Sequence, residues 1–269
     1  NIFEKGISWK SCVLILALCS FLASCSKPID RQNIEMLADQ GDASSQLKLG
    51  RMYEEGKGVT QDYAKAAELY RKSAEQGNDV AQLSLAIMYE EGKGVNKDDN
   101  KAFEWTKRSA EQNNKYAQMS LGTMYEEGFS VSQDNVKAVE WYKKSAEQGY
   151  HQAQFSLGNM YDRGEGVARD LEKAAEWYKK SAEQGNEVAQ FNIGSMYDKG
   201  EGVARDFDKA VEWTENSAKQ GYTEAQYNLG IMSLEKEGIN TNSAQAKVWF
   251  KRACDNGHQD SCNNYSLLK

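Results

Sequence analysis

The stretch 78–113 reads NDVAQLSLAIMYEEGKGVNKDDNKAFEWTKRSAEQN. Its first part places Ala81, Leu85, Met88 and Gly92 at steps of four, three and four residues, with Tyr89 alongside. That spacing draws an apolar stripe along one side of an α-helix. Gly92 ends the helix, because glycine accepts the left-handed backbone of a helix exit. The link Gly92-Lys93-Gly94-Val95 follows, and Val95 is expected to plug the gap between two helices. Asp98 is placed to cap a second helix by accepting from its free N–H groups. The second helix runs to about Gln112, with Ala102, Trp105 and Ala110 expected to face inward, and Asn113 ends it.

The same stretch recurs along the chain with a period of 36 residues that does not slip. Tyr53, Tyr89, Tyr125, Tyr161 and Tyr197 form one column, and Gly56, Gly92, Gly128, Gly164 and Gly200 another. Ala66, Ala102, Ala138, Ala174, Ala210 and Ala246 are in phase, as are Trp105, Trp141, Trp177, Trp213 and Trp249. The cap column continues through Asp62, Asp134, Asp170 and Asp206 to Asn242. A fixed period of this length belongs to stacked repeats, in which no unit buries its apolar face alone. Six units are expected, at 42–77, 78–113, 114–149, 150–185, 186–221 and 222–257, forming one elongated array. A half unit at 31–41 and a terminal helix over 258–269 would cap it. The column Gly50, Ala86, Gly122, Gly158, Gly194, Gly230 marks where helices approach closely.

The net charge of −7 offers no basic stripe for phosphates, which excludes nucleic acid as an expected partner. Only His151 and His258 are present, too few and too isolated for a histidine metal site, and no metal or cofactor is expected. Five Gly-x-Gly turns could cradle phosphate, but they recur in phase without a P-loop or Rossmann pattern, so they read as structure. The tryptophans are read as core rather than a sugar-stacking strip. The pairs Glu54-Glu55, Glu90-Glu91 and Glu126-Glu127 are read as a solvated face rather than acid–base machinery. No catalytic constellation stands out, so the chain is not expected to be an enzyme.

The first 24 residues carry Lys5 and Lys10, then the apolar run Val13–Leu18 continuing to Leu22, then Ala23 and Ser24. This is the pattern of a secretory signal, with an apolar run too short for a comfortable membrane span. Asn1 rather than methionine stands first, so the true start is expected elsewhere. Leu22-Ala23-Ser24-Cys25 resembles the lipobox of bacterial lipoproteins. The resemblance implies cleavage before Cys25, acylation of Cys25 and a membrane anchor. Ser26-Lys27 lack the aspartate that retains such proteins in the inner membrane, so the expected location is the cell envelope, periplasm-facing, at the outer membrane. Residues 25–41 would then be the tether and capping helix. Removing 1–24 takes the net charge from −7 to −8.

The pattern Ala-Gln-x-x-Leu-Gly-x-Met-Tyr-x-x-Gly-x-Gly-Val, then Asp-x-x-Lys-Ala-x-x-Trp-Tyr-x-Lys-Ser-Ala-Glu-Gln-Gly, resembles the Sel1-like repeat, a relative of the tetratricopeptide repeat. The resemblance covers about 42–257 and implies an all-α, right-handed α/α solenoid. It also implies an adaptor that holds a protein partner, as a monomer, on a concave surface lined by first helices. The last unit departs from the pattern, with Ser233 in the tyrosine column and the loop Lys236-Glu237-Gly238-Ile239.

Of five cysteines, Cys12 and Cys19 would leave with the signal and Cys25 would be lipidated, which leaves Cys254 and Cys262. They are read as sitting in columns that otherwise hold alanine, Ala218 and Ala225, where one second helix ends and the next first helix begins. An oxidising compartment and that contact suit a disulfide. Their eight-residue separation resembles the bridges of cysteine-rich Sel1-like proteins. The alternative is a pair of buried free thiols.

Fixed columns hold the stack, so the variable ones are the candidate binding surface. One helical stripe combines Arg51, Ile87, Thr123, Asn159, Ser195 and Ile231 with Glu55, Glu91, Glu127, Arg163 and Lys199 one turn later. One turn earlier it adds Ser84, Ser120, Ser156, Asn192 and Asn228. The stripe starts acidic and becomes mixed or basic, which would give a partner a preferred direction. Two further readings follow from the resemblance. One is an immunity protein neutralising a secreted antibacterial toxin such as a phospholipase. The other is a penicillin-binding or β-lactam-hydrolysing protein, disfavoured by the single cysteine pair and the lack of a Ser-x-x-Lys motif.

Overall fold

The computed structural model describes residues 31–235 and 243–268. The signal segment 1–24, Cys25, the loop Lys236-Glu237-Gly238-Ile239 and the cap Asn242 lie outside the described residues. Among those described there are fourteen helices and no strand.

The chain divides into two compact units at Gln148/Gly149. The 36-residue period runs through this boundary without a slip, so nothing in the columns marks it. In the first unit, α1 (Arg31–Asp39) precedes three pairs: α2 (Ala43–Glu55) with α3 (Tyr63–Glu75), α4 (Asp79–Glu91) with α5 (Asp99–Glu111), and α6 (Lys115–Glu127) with α7 (Asn135–Glu147). The second unit pairs α8 (His151–Arg163) with α9 (Leu171–Glu183), α10 (Glu187–Lys199) with α11 (Phe207–Lys219), and α12 (Thr223–Glu235) with α13 (Ser243–Asp255). The short α14 (Gln259–Leu267) follows. Within each unit, first and second helices of a pair pack together, and each second helix packs on the next first helix. This is an all-α solenoid of consecutive helix pairs.

Each second helix starts as its aspartate dictates. Asp62, Asp98, Asp134, Asp170 and Asp206 accept from the backbone N–H of Lys65, Lys101, Lys137, Lys173 and Lys209 at 3.0–3.1 Å. First helices have caps of their own that the sequence reading did not identify. Asp42, Asn78, Asn114 and Asn186 accept from the N–H of Ser45, Ala81, Ala117 and Ala189 at 2.7–3.0 Å. The first helices α2, α4, α6, α8 and α10 exit through a left-handed glycine, such as Gly92 at φ +69°. The second glycine of the link serves a different need. A Cβ on Gly94 would fall 2.0 Å from the Tyr63 carbonyl oxygen, at the start of the previous second helix. The Gly-x-Gly turns thus end one helix and let the link approach another. Val95 packs on the cluster of Ala66, Tyr70, Ala81 and Leu85.

Two columns quoted in the repeat pattern are buried hydrogen-bond hooks. Ser73, Ser109, Ser145, Ser181 and Ser217 donate at 2.7 Å to carbonyls 30 residues earlier, tying each second helix to the start of its own first helix. Gln46, Gln82, Gln118, Gln190 and Gln226 donate at 3.1–3.2 Å to carbonyls eight residues earlier, tying α2, α4, α6, α10 and α12 each to the helix before it. Burying an amide is costly unless it is bonded, and here each one is.

The core corrects one expectation. The side chain that fills the space between paired helices is the residue after the tryptophan. Tyr70, Tyr142 and Tyr178 are 1–2% exposed and Phe250 is fully buried. Trp105, Trp141, Trp177 and Trp213 are only half-buried, and Trp249 alone in that column is buried. The outer faces of four carry a cation one turn on. Lys144 lies 3.7 Å from the Trp141 ring centre and Lys180 4.0 Å from that of Trp177, while Arg108 and Arg252 lie 4.6 Å from Trp105 and Trp249. The tryptophans are the shoulder of the helix pair, roofed by charge.

Candidate functional site

The stripe expected to bind a partner lies on the first helices, and each unit presents its own part. In the first unit Arg51, Glu55, Glu91 and Glu127 are exposed, and Ser84 and Ile87 are half-buried. Ser120 and Thr123 are corrected: they are 7% and 8% exposed and cannot be offered to a partner. The Thr123 hydroxyl is already engaged, donating to the Met119 carbonyl at 3.2 Å, and its oxygen lies 3.1 Å from the Tyr142 hydroxyl. Ser120 lies within a run from Ala117 to Tyr125 that is buried on every side of α6.

In the second unit Arg163 and Lys199 are exposed, while Ser156, Asn159, Asn192, Ser195, Asn228 and Ile231 are half-buried. Asn159 is drawn inward, its side-chain oxygen accepting from the Tyr178 hydroxyl at 2.7 Å.

The charges of the stripe are partly answered from the links. Lys57 pairs with Glu55 and Lys93 with Glu91, each at 2.6 Å, and Arg163 faces Glu165 at 3.9 Å. Such exposed pairs contribute little to stability but lower the local potential. Glu127 has Phe129 where the first two links have lysine. Partial burial and neighbouring Glu126 push its carboxyl above the usual carboxylate range.

The paired glutamates are also corrected. They are not uniformly a solvated face. The Tyr70 hydroxyl donates to Glu54 at 2.5 Å, and Tyr142 donates to Glu126. Burial, and then the Glu54 charge, push the Tyr70 hydroxyl far above its ordinary range, so it stays a donor. A buried tyrosine therefore reaches through the helix pair and holds one carboxylate of the pair, while the next residue points outward. The tyrosine column was visible in the sequence beside the tryptophans. Its role follows only from the glycine opposite, which leaves room for the ring.

Cys254 and Cys262 are joined as a disulfide between α13 and α14, with Cα atoms 4.7 Å apart. Cys254 is in phase with Ala218, but the reading of Cys262 as sharing the column of Ala225 is corrected: it is in phase with Gln226 and stands in the glutamine column. Among the described residues no group of three or more His, Cys, Asp or Glu could hold a metal ion, and no helix is long and apolar enough to cross a membrane.

The Sel1 repeat profile matches at 43–78, 79–114, 115–150, 151–186, 188–222 and 223–258. Among solved structures, a Sel1 repeat protein from Oxalobacter formigenes is 31% identical with a TM-score of 0.72, covering 85% of this chain and 91% of that one. The protective antigen c5321 of uropathogenic Escherichia coli strains, which displays an SLR fold, is 34% identical with a TM-score of 0.69 over 88% of this chain. This chain spans 59% of that protein's length. The immunity protein Pa5087 of Pseudomonas aeruginosa is more remote, at 21% identity and a TM-score of 0.43 over 90% of this chain and 84% of that one. No curated protein matches the sequence. Repeats of this kind generally mediate protein–protein interaction, and no catalytic family is indicated. Six consecutive matches over most of the chain place it in the Sel1 repeat family.

Proposed function

We propose that this chain is an exported, lipid-anchored scaffold that binds a protein partner along the exposed stripe of its first helices, as an adaptor or assembly factor in the cell envelope. The observation that carries the reading is a division of labour within each repeat. The periodic serine, glutamine, glycine and tyrosine columns are consumed by packing and hydrogen bonding. Most residues that change character from repeat to repeat, such as Arg51, Ile87, Glu127, Arg163 and Lys199, keep exposed or half-exposed side chains, while Thr123 in the Arg51 column is buried. A surface that varies over a frame that keeps its caps and hydrogen-bond hooks is what a partner-specific scaffold needs. The signal and lipobox pattern at Leu22–Cys25 supports attachment through Cys25, with the array held at the periplasmic face of the outer membrane.

The test is a capture experiment with residues 26–269 against envelope extract and secreted proteins, with Glu91→Lys/Glu127→Lys as control. The expected result is one stoichiometric protein partner, lost with the control while thermal stability is unchanged. A resident envelope protein would make the chain an adaptor, and a secreted toxin would make it an immunity protein. Equal capture by the control would refute the stripe as the binding surface. In the full chain, Cys25→Ser should release the protein from membranes; retention would refute the lipid anchor.

A further inference from the structure

We propose that the Cys254–Cys262 bridge is a redox-sensitive lock, replacing at the last junction of the array the amide hook used at the earlier ones. In the repeats, a glutamine at the start of a first helix donates to a carbonyl eight residues earlier, as Gln190 does to Ala182 and Gln226 to Ala218. One period on, the same two positions hold Cys262 and Cys254. The donor amide is gone, and a covalent bond spans the same eight-residue separation. The substitution is paired: hook and bridge are alternative ways to fasten the next helix to the one before.

The helix fastened this way needs it more than the others do. α14 has nine residues where the paired helices have thirteen. It packs on α13. Helices this short are marginal without tertiary support. Most of the remaining polar ties gather at its start, and farther along Lys247 of α13 approaches a ring of α14 in a cation–π contact, 5.6 Å from the centre of Tyr265. His258 stacks on Tyr227 with ring centres 4.5 Å apart, and its Nδ1 accepts from the Ser261 N–H at 3.2 Å. Asn256 donates to Gln226 at 3.0 Å. Toward its other end Leu267 is 77% exposed. Both cysteines are half-buried, so the bridge is within reach of a small reductant.

The chemistry is thiol–disulfide exchange with an external dithiol. One thiolate of the dithiol attacks a sulfur of the bridge, the protein S–S bond breaks and a mixed disulfide forms. The second thiolate closes on it, and the protein is left with two thiols. Two electrons and two protons pass to the protein, and the dithiol ends as a disulfide. Neither cysteine can then make the amide bond, so α14 loses both forms of fastening.

The experiment is hydrogen–deuterium exchange of the full chain, oxidised and after treatment with dithiothreitol. Exchange over 259–267 should rise about tenfold or more on reduction, while 79–147 is unchanged. Cys254→Ser/Cys262→Ser should match the reduced protein. Cys254→Ala/Cys262→Gln, which restores the pair used by the other repeats, should recover most of the protection and no longer respond to reductant. Full protection of 259–267 after reduction would overturn the lock. Exchange in the Ala/Gln variant as fast as in the Ser/Ser variant would overturn the equivalence of hook and bridge.

Discussion

Neighbouring pairs α4–α5 and α6–α7 solve the same packing problem with different residues. In α6–α7, Gly122 faces Tyr142, and a Cβ on the glycine would fall 2.6 Å from the ring. The ring is 1% exposed, and its hydroxyl reaches Glu126, next to Glu127 of the proposed stripe. In α4–α5 the same two columns hold Ala86 and Thr106, both fully buried, and the threonine hydroxyl has no hydrogen-bond partner. The second unit adds a third version, where the missing Cβ of Gly194 lets Thr214 Oγ1 come within 2.7 Å of the Cβ position. What the repeat preserves is a filled interface, not a residue. The choice has a consequence outside the core. A tyrosine couples the interior to the carboxylate next to the outward one, and a threonine does not.

The largest expected effect comes from removing the filler. Tyr142→Ala should cost about 3–5 kcal/mol, as large aromatic truncations do. Thr106→Ala, which deletes an unbonded hydroxyl and one methyl, should cost about 1 kcal/mol or less. Urea melts of the two variants measure both, and equal costs would break the comparison. A middle-sized effect belongs to the tryptophans. Trp141→Ala should cost about 1–3 kcal/mol, less than Tyr142→Ala, because the ring is half-buried under Lys144. Trp105→Ala should cost about the same, since the shoulder is built alike in both pairs. A tryptophan loss larger than the tyrosine loss would restore tryptophan as the core.

The smallest effect is set by acid. Hydrogen bonds from the backbone and side chain of Lys101 and Lys137 hold the Asp98 and Asp134 carboxyls below the usual carboxylate range. Their folded values lie below their unfolded ones. The capping contribution is therefore complete above the unfolded value, near pH 3.9, and is lost as pH falls through the lower folded value. Amide exchange at Lys101 and Lys137 should lose protection together below that range. Loss near neutral pH, or at only one of the two, would show that the two pairs differ in more than their fillers.

Much of this was legible before the fold was seen. Period, helix pairing, the aspartate caps and the glycine exits are local and repeat, so each column tests the others. The filler was not legible, because Trp141 and Tyr142 follow Ala138 by three and four residues and both lie on the apolar side. Only the distance of approach at Gly122 decides which ring enters, and that depends on two helices at once. The outward reading of Ser120 and Thr123 failed for the same reason: helical phase gives a direction, and neighbours decide burial. Glu54 and Glu126 looked like their solvated partners because the tyrosine that holds each one is 16 residues away. The boundary at Gln148/Gly149 has no residue signature.

The most direct test is a double-mutant cycle at Gly122 and Tyr142, importing the filler of α4–α5 as Gly122→Ala and Tyr142→Thr. Each single change should destabilise, one by crowding the ring and the other by leaving a void. Size-matched columns predict that the double variant is more stable than the sum of the singles implies, by about 0.5–3 kcal/mol of coupling. Strict additivity would contradict the account, because the two positions would then be filled independently.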